Sequence, residues 1–283
     1  VKLKRGLIEV HSAVGLFGLA GLFGKWLPLS PLLIVLGRVI FASLALGILL
    51  AFRRSSLRGL IRESGRLLVV LGTLLAAHWA AFFQSVQVSS VAVGLLAYAC
   101  FPVFTVLLEP LLFKERLDAR NLGLAGICLA GVFFIVPRFD PADVIYQGVL
   151  WGLLSGVAFA VLAVFNRRLA QRHASPAIAL VEDLTAAVVL SPVLLFRTPS
   201  LDARSLALLG ALGIFCTAGA HTLFIQGMRH VRAQTASVIS SLEPVYGIVL
   251  AFWLLGERPS PRTLAGGAII LGAVTVISLR ERV

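Results

Sequence analysis

Ionisable side chains inside apolar stretches are the residues of this sequence with most chemistry to do, because each costs several kcal/mol in hydrocarbon unless paired, wetted or neutralised. Five stand out, Arg38, Glu109, Glu182, Asp183 and Glu243, with His78 and His221 beside them. Arg38 sits about seven residues, roughly 10 Å, into its apolar run from one side, and Glu243 about nine residues, roughly 14 Å, into its run from the other. In a core of about 30 Å their depths differ by about 6 Å, which two long side chains bridge. Pairing lowers the cost of both charges. A zwitterion could replace the pair, its carboxylate on Arg38 and its ammonium on Glu243; a static structural pair is the competing reading. Asp183 lies about 10 Å lower than Arg38 by the same arithmetic and is the poorer match. Glu182 and Asp183 serve either an inner mouth or an ion pair, and Glu109 is expected at a surface beside Lys114 and Arg116.

Pro102 and Pro244 both fall near the middle of apolar runs. A mid-helix proline removes one hydrogen bond and frees a carbonyl, which in lipid needs a neighbouring helix, water or a ligand. A kink used only for packing is the alternative. Around them lie His78, Trp79, Tyr98, Phe101 and Tyr246, the mixture of aromatic faces and sparse polar groups that holds an amphipathic ligand. Packing between helices explains any one ring equally well. Trp79 is set apart because Trp26, Trp151 and Trp253 fall at the ends of apolar runs, where indoles sit at the headgroups. The candidate binding set is therefore Arg38, His78, Trp79, Tyr98, Phe101, Pro102, His221, Glu243, Pro244 and Tyr246.

The elements that must position these groups are long apolar helices. Of 283 residues, 59% are hydrophobic and 13% charged, and the mean hydropathy is +0.97. Apolar runs of span length recur near residues 8–26, 31–52, 67–86, 90–113, 119–136, 147–165, 176–196, 205–227, 234–255 and 262–279, each long enough for a hydrocarbon core. They are apolar all round, as helices in lipid are. Glycines every third residue (Gly15, Gly18, Gly21, Gly24) and small residues every fourth (Gly152, Gly156, Ala160) mark seams of close helix approach.

The net charge of +12 is placed by topology, not by nucleic acid. Of the 25 Lys and Arg, Lys25, Arg138, Arg197, Arg204, Arg258 and Arg262 fall on one side, Arg38 lies within a run, and the remaining 18 fall on the other side. The positive-inside rule puts both termini in the cytoplasm and favours an even number of spans. The chain is also written twice. An offset of 142 residues lays Phe101-Pro102-Val103-Phe104 on Glu243-Pro244-Val245-Tyr246 and Glu115-Arg116 on Glu257-Arg258, and an offset of 145 lays Arg38 on Asp183. Five spans per half, an odd number, make the repeats inverted, with a cavity between them that rocking exposes to each side in turn. The expected fold class is thus all-α integral membrane, ten transmembrane helices in two inverted five-helix repeats. The first repeat is residues 1–138, the linker 139–146 and the second repeat 147–283.

With ten spans, a five-plus-five duplication, prolines inside spans four and nine and an acidic-basic pair after each, the chain resembles the drug/metabolite transporter superfamily, EamA type, and is similar to its YddG-like members. That resemblance implies export of small metabolites, aromatic or hydrophobic amino acids first, by a monomer in a plasma (bacterial inner) membrane. A sugar-phosphate or nucleotide-sugar carrier would bring several intramembrane Lys or Arg residues, and only Arg38 is present. An intramembrane lipid-modifying enzyme would need a clustered catalytic set and a receptor large loops; neither is evident. No HExxH, GxSxG or Walker A pattern occurs, so the expected cofactor is none and the expected partners are a small-molecule substrate and the lipid bilayer, with no nucleic acid. Cys100, Cys128 and Cys216 lie inside apolar runs and imply no disulfide framework.

Overall fold

Lipid offers no hydrogen bonds to a peptide group, so apolar chain in a bilayer closes its own backbone bonds as helix. The computed structural model describes residues 2–113, 119–196, 201–231, 236, 239–240 and 242–280, and among them every regular element is helical. In order these are α1 (Lys2–Trp26), α2 (Pro31–Phe52), α3 (Arg58–Val88), α4 (Val91–Tyr98), α5 (Phe101–Phe113), α6 (Ala119–Ile135), α7 (Val144–Arg172), α8 (Ser175–Leu190), α9 (Val193–Phe196), α10 (Ala203–Gly213), a π-helical segment Ile214–Gly219, α11 (Ala220–Gly227), α12 (Glu243–Leu255) and α13 (Pro261–Arg280). Six stretches are long and apolar enough to cross a bilayer: Leu3–Trp26, Pro31–Phe52, Arg58–Val88, Val144–Arg172, Ser175–Phe196 and Ala203–Gly227. Val91–Thr105, Leu122–Ile135, Glu243–Leu255 and Pro261–Val276 are shorter apolar helices.

Helix ends follow local chemistry. The carboxylate of Asp143 accepts from Ile145 N and Tyr146 N and starts α7 at Val144, inside the stretch expected as linker. Asp202 caps α10 through Ser205 N, which holds its carboxyl below the usual carboxylate range. Gly256, at φ 69°, ends α12 in the left-handed region that favours glycine.

Two departures from regular helix shape the interior. The fourth apolar run is not a kinked helix but two helices: α4 stops at Tyr98, Cys100 N turns back to Ala97 O, and Pro102 opens α5. Pro244 likewise occupies the first turn of α12. A proline is tolerated there because first-turn N–H groups have no helical partner to lose. The expectation of a mid-helix kink is corrected accordingly: both prolines begin helices, and the chain breaks just before each. The second departure is the π segment, where one extra residue per turn lets the Thr217 hydroxyl donate to Leu212 O five residues back.

Glycine seams bring the helices together. Gly131 on α6 and Gly266 on α13 face each other so closely that a Cβ on either would meet the other's carbonyl oxygen, at 2.9 and 2.7 Å. Arg262 at the start of α13 donates to Phe134 O and Val136 O at the end of α6, so the two helices run antiparallel. Gly18 packs against the α12 backbone at Glu243 and Gly247, and Gly152 against Ala97 of α4. A Cβ on Gly15 would meet nothing within 4 Å among the described residues, so no seam at Gly15 is seen there. The side chain of Glu109 and residues 114–118 lie outside the described residues.

Candidate functional site

Arg38, near the middle of α2, is 2% exposed. Its Nε donates to Thr217 Oγ1 at 2.9 Å and its Nη2 to the Cys216 carbonyl at 3.3 Å. Both acceptors come from the π segment, whose irregular bonding leaves a carbonyl and a hydroxyl turned toward α2. The guanidinium lies on the Trp79 ring, 3.9 Å from its centroid, with Phe83 at 5.5 Å. Its Nη1 group has no hydrogen-bond partner among the described residues. A cation so placed is oriented by three contacts and keeps donors for an anion.

Arg38 lines a cavity of about 30 Å³ together with His78, Trp79, Tyr98, His221 and Glu243. The space holds a water or two, so an organic ligand needs the walls to part. Aromatic rings make up most of those walls. His78 lies 5.5 Å from Tyr98 and 5.1 Å from Phe159, and Trp79 meets His221 edge-on at 6.0 Å. Ser155 fixes the His78 ring, its hydroxyl 2.8 Å and its carbonyl 3.0 Å from Nδ1. Glu243 is 4% exposed at the first position of α12 and makes no hydrogen bond or ion pair with a described residue.

Six of the ten residues singled out from the sequence thus surround one cavity. Phe101 stacks on Tyr98 at 5.4 Å, behind the lining, and Pro102 and Pro244 are buried at their helix starts without lining it. Tyr246 is 38% exposed, its Cβ lies against Gly18 of α1, and it does not line the cavity. No Arg38–Glu243 ion pair forms within 4 Å, so the expected pairing is corrected; the carboxylate within Coulombic reach of Arg38 is Asp183. The reason is that α2 packs directly on α8, which carries Asp183. Asp183 and Glu182 are both 0% exposed, neither at a mouth nor at a surface. Thr217, Ser155 and Phe159 were missed by the sequence reading. Phe159 and Ser155 left a signal, since both continue the small-residue face of α7 at helical spacing.

The model of the EamA-like transporter family matches the chain twice, over residues 4–136 and 146–279. An uncharacterised transporter of Archaeoglobus fulgidus is 29% identical over 76% of this chain and 75% of its own length. The pseudopaline exporter CntI of Pseudomonas aeruginosa is 25% identical over 86% of each chain. A solved crystal structure at 21% identity superposes with a TM-score of 0.72 over 98% of this chain and 99% of that one, which establishes a shared fold.

Proposed function

The chain belongs to the EamA-like transporter family, a multi-pass membrane transporter, and from that premise we propose that it exports small organic metabolites, aromatic or hydrophobic amino acids first, by alternating access. One observation carries the substrate class: one cavity offers an oriented guanidinium with open donors, a carboxylate whose Oε2 has no hydrogen-bond partner among the described residues, and aromatic rings between them. A zwitterion with an apolar side chain satisfies all three. Its carboxylate meets Arg38, its ammonium Glu243, and its side chain the rings of His78, Trp79 and Tyr98. The likeness to an exporter supports the outward direction. A phosphorylated substrate is less well served, since among the described residues Arg38 is the only Lys or Arg that lines the cavity.

The mechanism is read as ten spans in two inverted halves, with both termini cytoplasmic. Six long and four shorter apolar helices support the count, and two matches to one family model support the duplication. Inversion is supported by α6 and α13, offset mates that pack antiparallel. The cavity's small volume suits a closed intermediate, and the chain breaks before Pro102 and Pro244 give each half a hinge beside the cavity.

Reconstitution into liposomes with labelled phenylalanine, other amino acids and sugar phosphates tests this. Saturable phenylalanine flux, competed by other aromatic amino acids, is expected. Flux confined to sugar phosphates, or none for any solute, refutes the reading.

A further inference from the structure

Beside the cavity, toward α7 and α8, lies a group of polar side chains that ligand recognition leaves unused. Glu182 Oε2 stands 3.5 Å from His221 Nε2 and accepts from Asn166 Nδ2 at 3.2 Å. Glu182 and Asp183 are 0% exposed, Asn166 3% and His221 4%. Glu182 Oε1, both carboxylate oxygens of Asp183, Asn166 Oδ1 and His221 Nδ1 are buried, with no hydrogen-bond partner among the described residues. Apart from His221 Nδ1, which can act either way, these atoms are all acceptors, so the group is short of hydrogens rather than of oxygens. A buried carboxylate without donors is expensive to keep ionised. One proton turns such an oxygen into a donor for its neighbour and removes a charge at once.

We propose that Glu182, Asp183 and His221 form a proton-binding site beside the cavity, linked to the occupancy of Arg38 by an anion. The proton comes from bulk water, and the bond formed is O–H on a carboxylate or N–H on His221. The charged and titratable groups facing the site from neighbouring elements are Arg38 on α2, His78 on α3, Tyr98 on α4 and Glu243 on α12, which line the cavity with His221; α7 contributes the neutral Asn166. Of these, Arg38 carries the linkage. Its charge favours the ionised form of Asp183, and a carboxylate bound to Arg38 cancels that field. Proton affinity then rises, and by reciprocity the protonated site holds the anion more tightly. Proton and carboxylate load together, so each solute leaves with a proton, and an acidic exterior slows net export while an acidic interior speeds it. The linkage, though not the site, rests on reading the cavity as a carboxylate site.

The test uses the full chain in lipid. Infrared difference spectra across a pH titration without substrate are expected to contain a carboxylic-acid C=O band that weakens in Glu182→Gln and in Asp183→Asn. A spectrum left unchanged by either substitution in folded protein, with folding checked by circular dichroism, overturns the site. Should one variant fail to fold, the other decides. Adding L-phenylalanine is expected to raise the proton affinity about fivefold or more, whereas L-phenylalaninamide, which lacks the carboxylate, leaves it unchanged. Phenylalanine that quenches tryptophan fluorescence yet does not shift the titration overturns the linkage. Absence of phenylalanine binding refutes the amino-acid reading and the linkage drawn from it, while the substrate-free band still decides the site.

Discussion

Replacing Trp79 with alanine removes the surface on which the Arg38 guanidinium rests. The ring is 7% exposed and 3.9 Å from the cation, a desolvated cation–π contact worth about 2 kcal/mol. Losing it frees the guanidinium to leave the geometry in which it lines the cavity. If ligand binding depends on that geometry, apparent affinity falls roughly thirtyfold, seen as a raised KM. The same substitution leaves a hole that costs about 3–5 kcal/mol of stability, so flux must be normalised to folded protein. Trp79→Phe separates the two effects: it keeps a smaller π face under the cation and falls between wild type and Trp79→Ala. The assay is initial phenylalanine flux against concentration in proteoliposomes, with thermal unfolding measured in parallel. An unchanged KM for folded Trp79→Ala protein, with flux reduced only as its amount is reduced, refutes the role of the ring.

A cysteine placed at Asp140 is expected to react with an impermeant thiol reagent added outside the cell, and one at Ser56 is not; the opposite pattern overturns the orientation drawn from the basic residues. The charge-swapped pair Arg38→Glu with Glu243→Arg is expected to be inactive, because a carboxylate at position 38 would face the Cys216 carbonyl and the Trp79 ring; near-normal flux contradicts this placement. Glu257→Gln weakens the contact in which the Glu257 carboxylate accepts from Val91 N at 3.0 Å, and a loss of about 1 kcal/mol is expected, read as faster amide exchange at the start of α4. The Asp202 cap is held by a carboxyl whose folded pKa is depressed, so its stabilisation is present at neutral pH and is lost as pH falls through the folded value. Faster exchange at Ser205 N only under strongly acidic conditions is the expected result, and loss of protection near neutrality contradicts it.

Most of the helical framework was legible because lipid-facing helices are apolar over their whole surface, and that pattern needs no knowledge of packing. Cavity residues such as Arg38 and Trp79 were legible for the opposite reason: a charge or a mid-run indole is conspicuous there. What escaped depends on contact between distant segments. Depth alone matches Arg38 with Glu243, whereas helix packing decides neighbours, and α2 packs on α8, which carries Asp183. Asn166 was missed because its apolar run was ended one residue before it, although α7 continues to Arg172. Nothing in Ile214–Gly219 announces a π turn, which shows only in its hydrogen bonds.

That turn also sets a phase. A single added residue advances the chain by about 100° around the helix axis, so everything from Ala220 onward is rotated relative to α10. In the rotated frame His221 lines the cavity and Phe224 packs on Phe17 and Phe159. Deleting one residue between Ile214 and Gly219 would let the helix run on in ordinary register and swing both rings away, with no cavity residue altered. The geometry of this wall is therefore encoded in the number of residues along the helix as much as in their kinds.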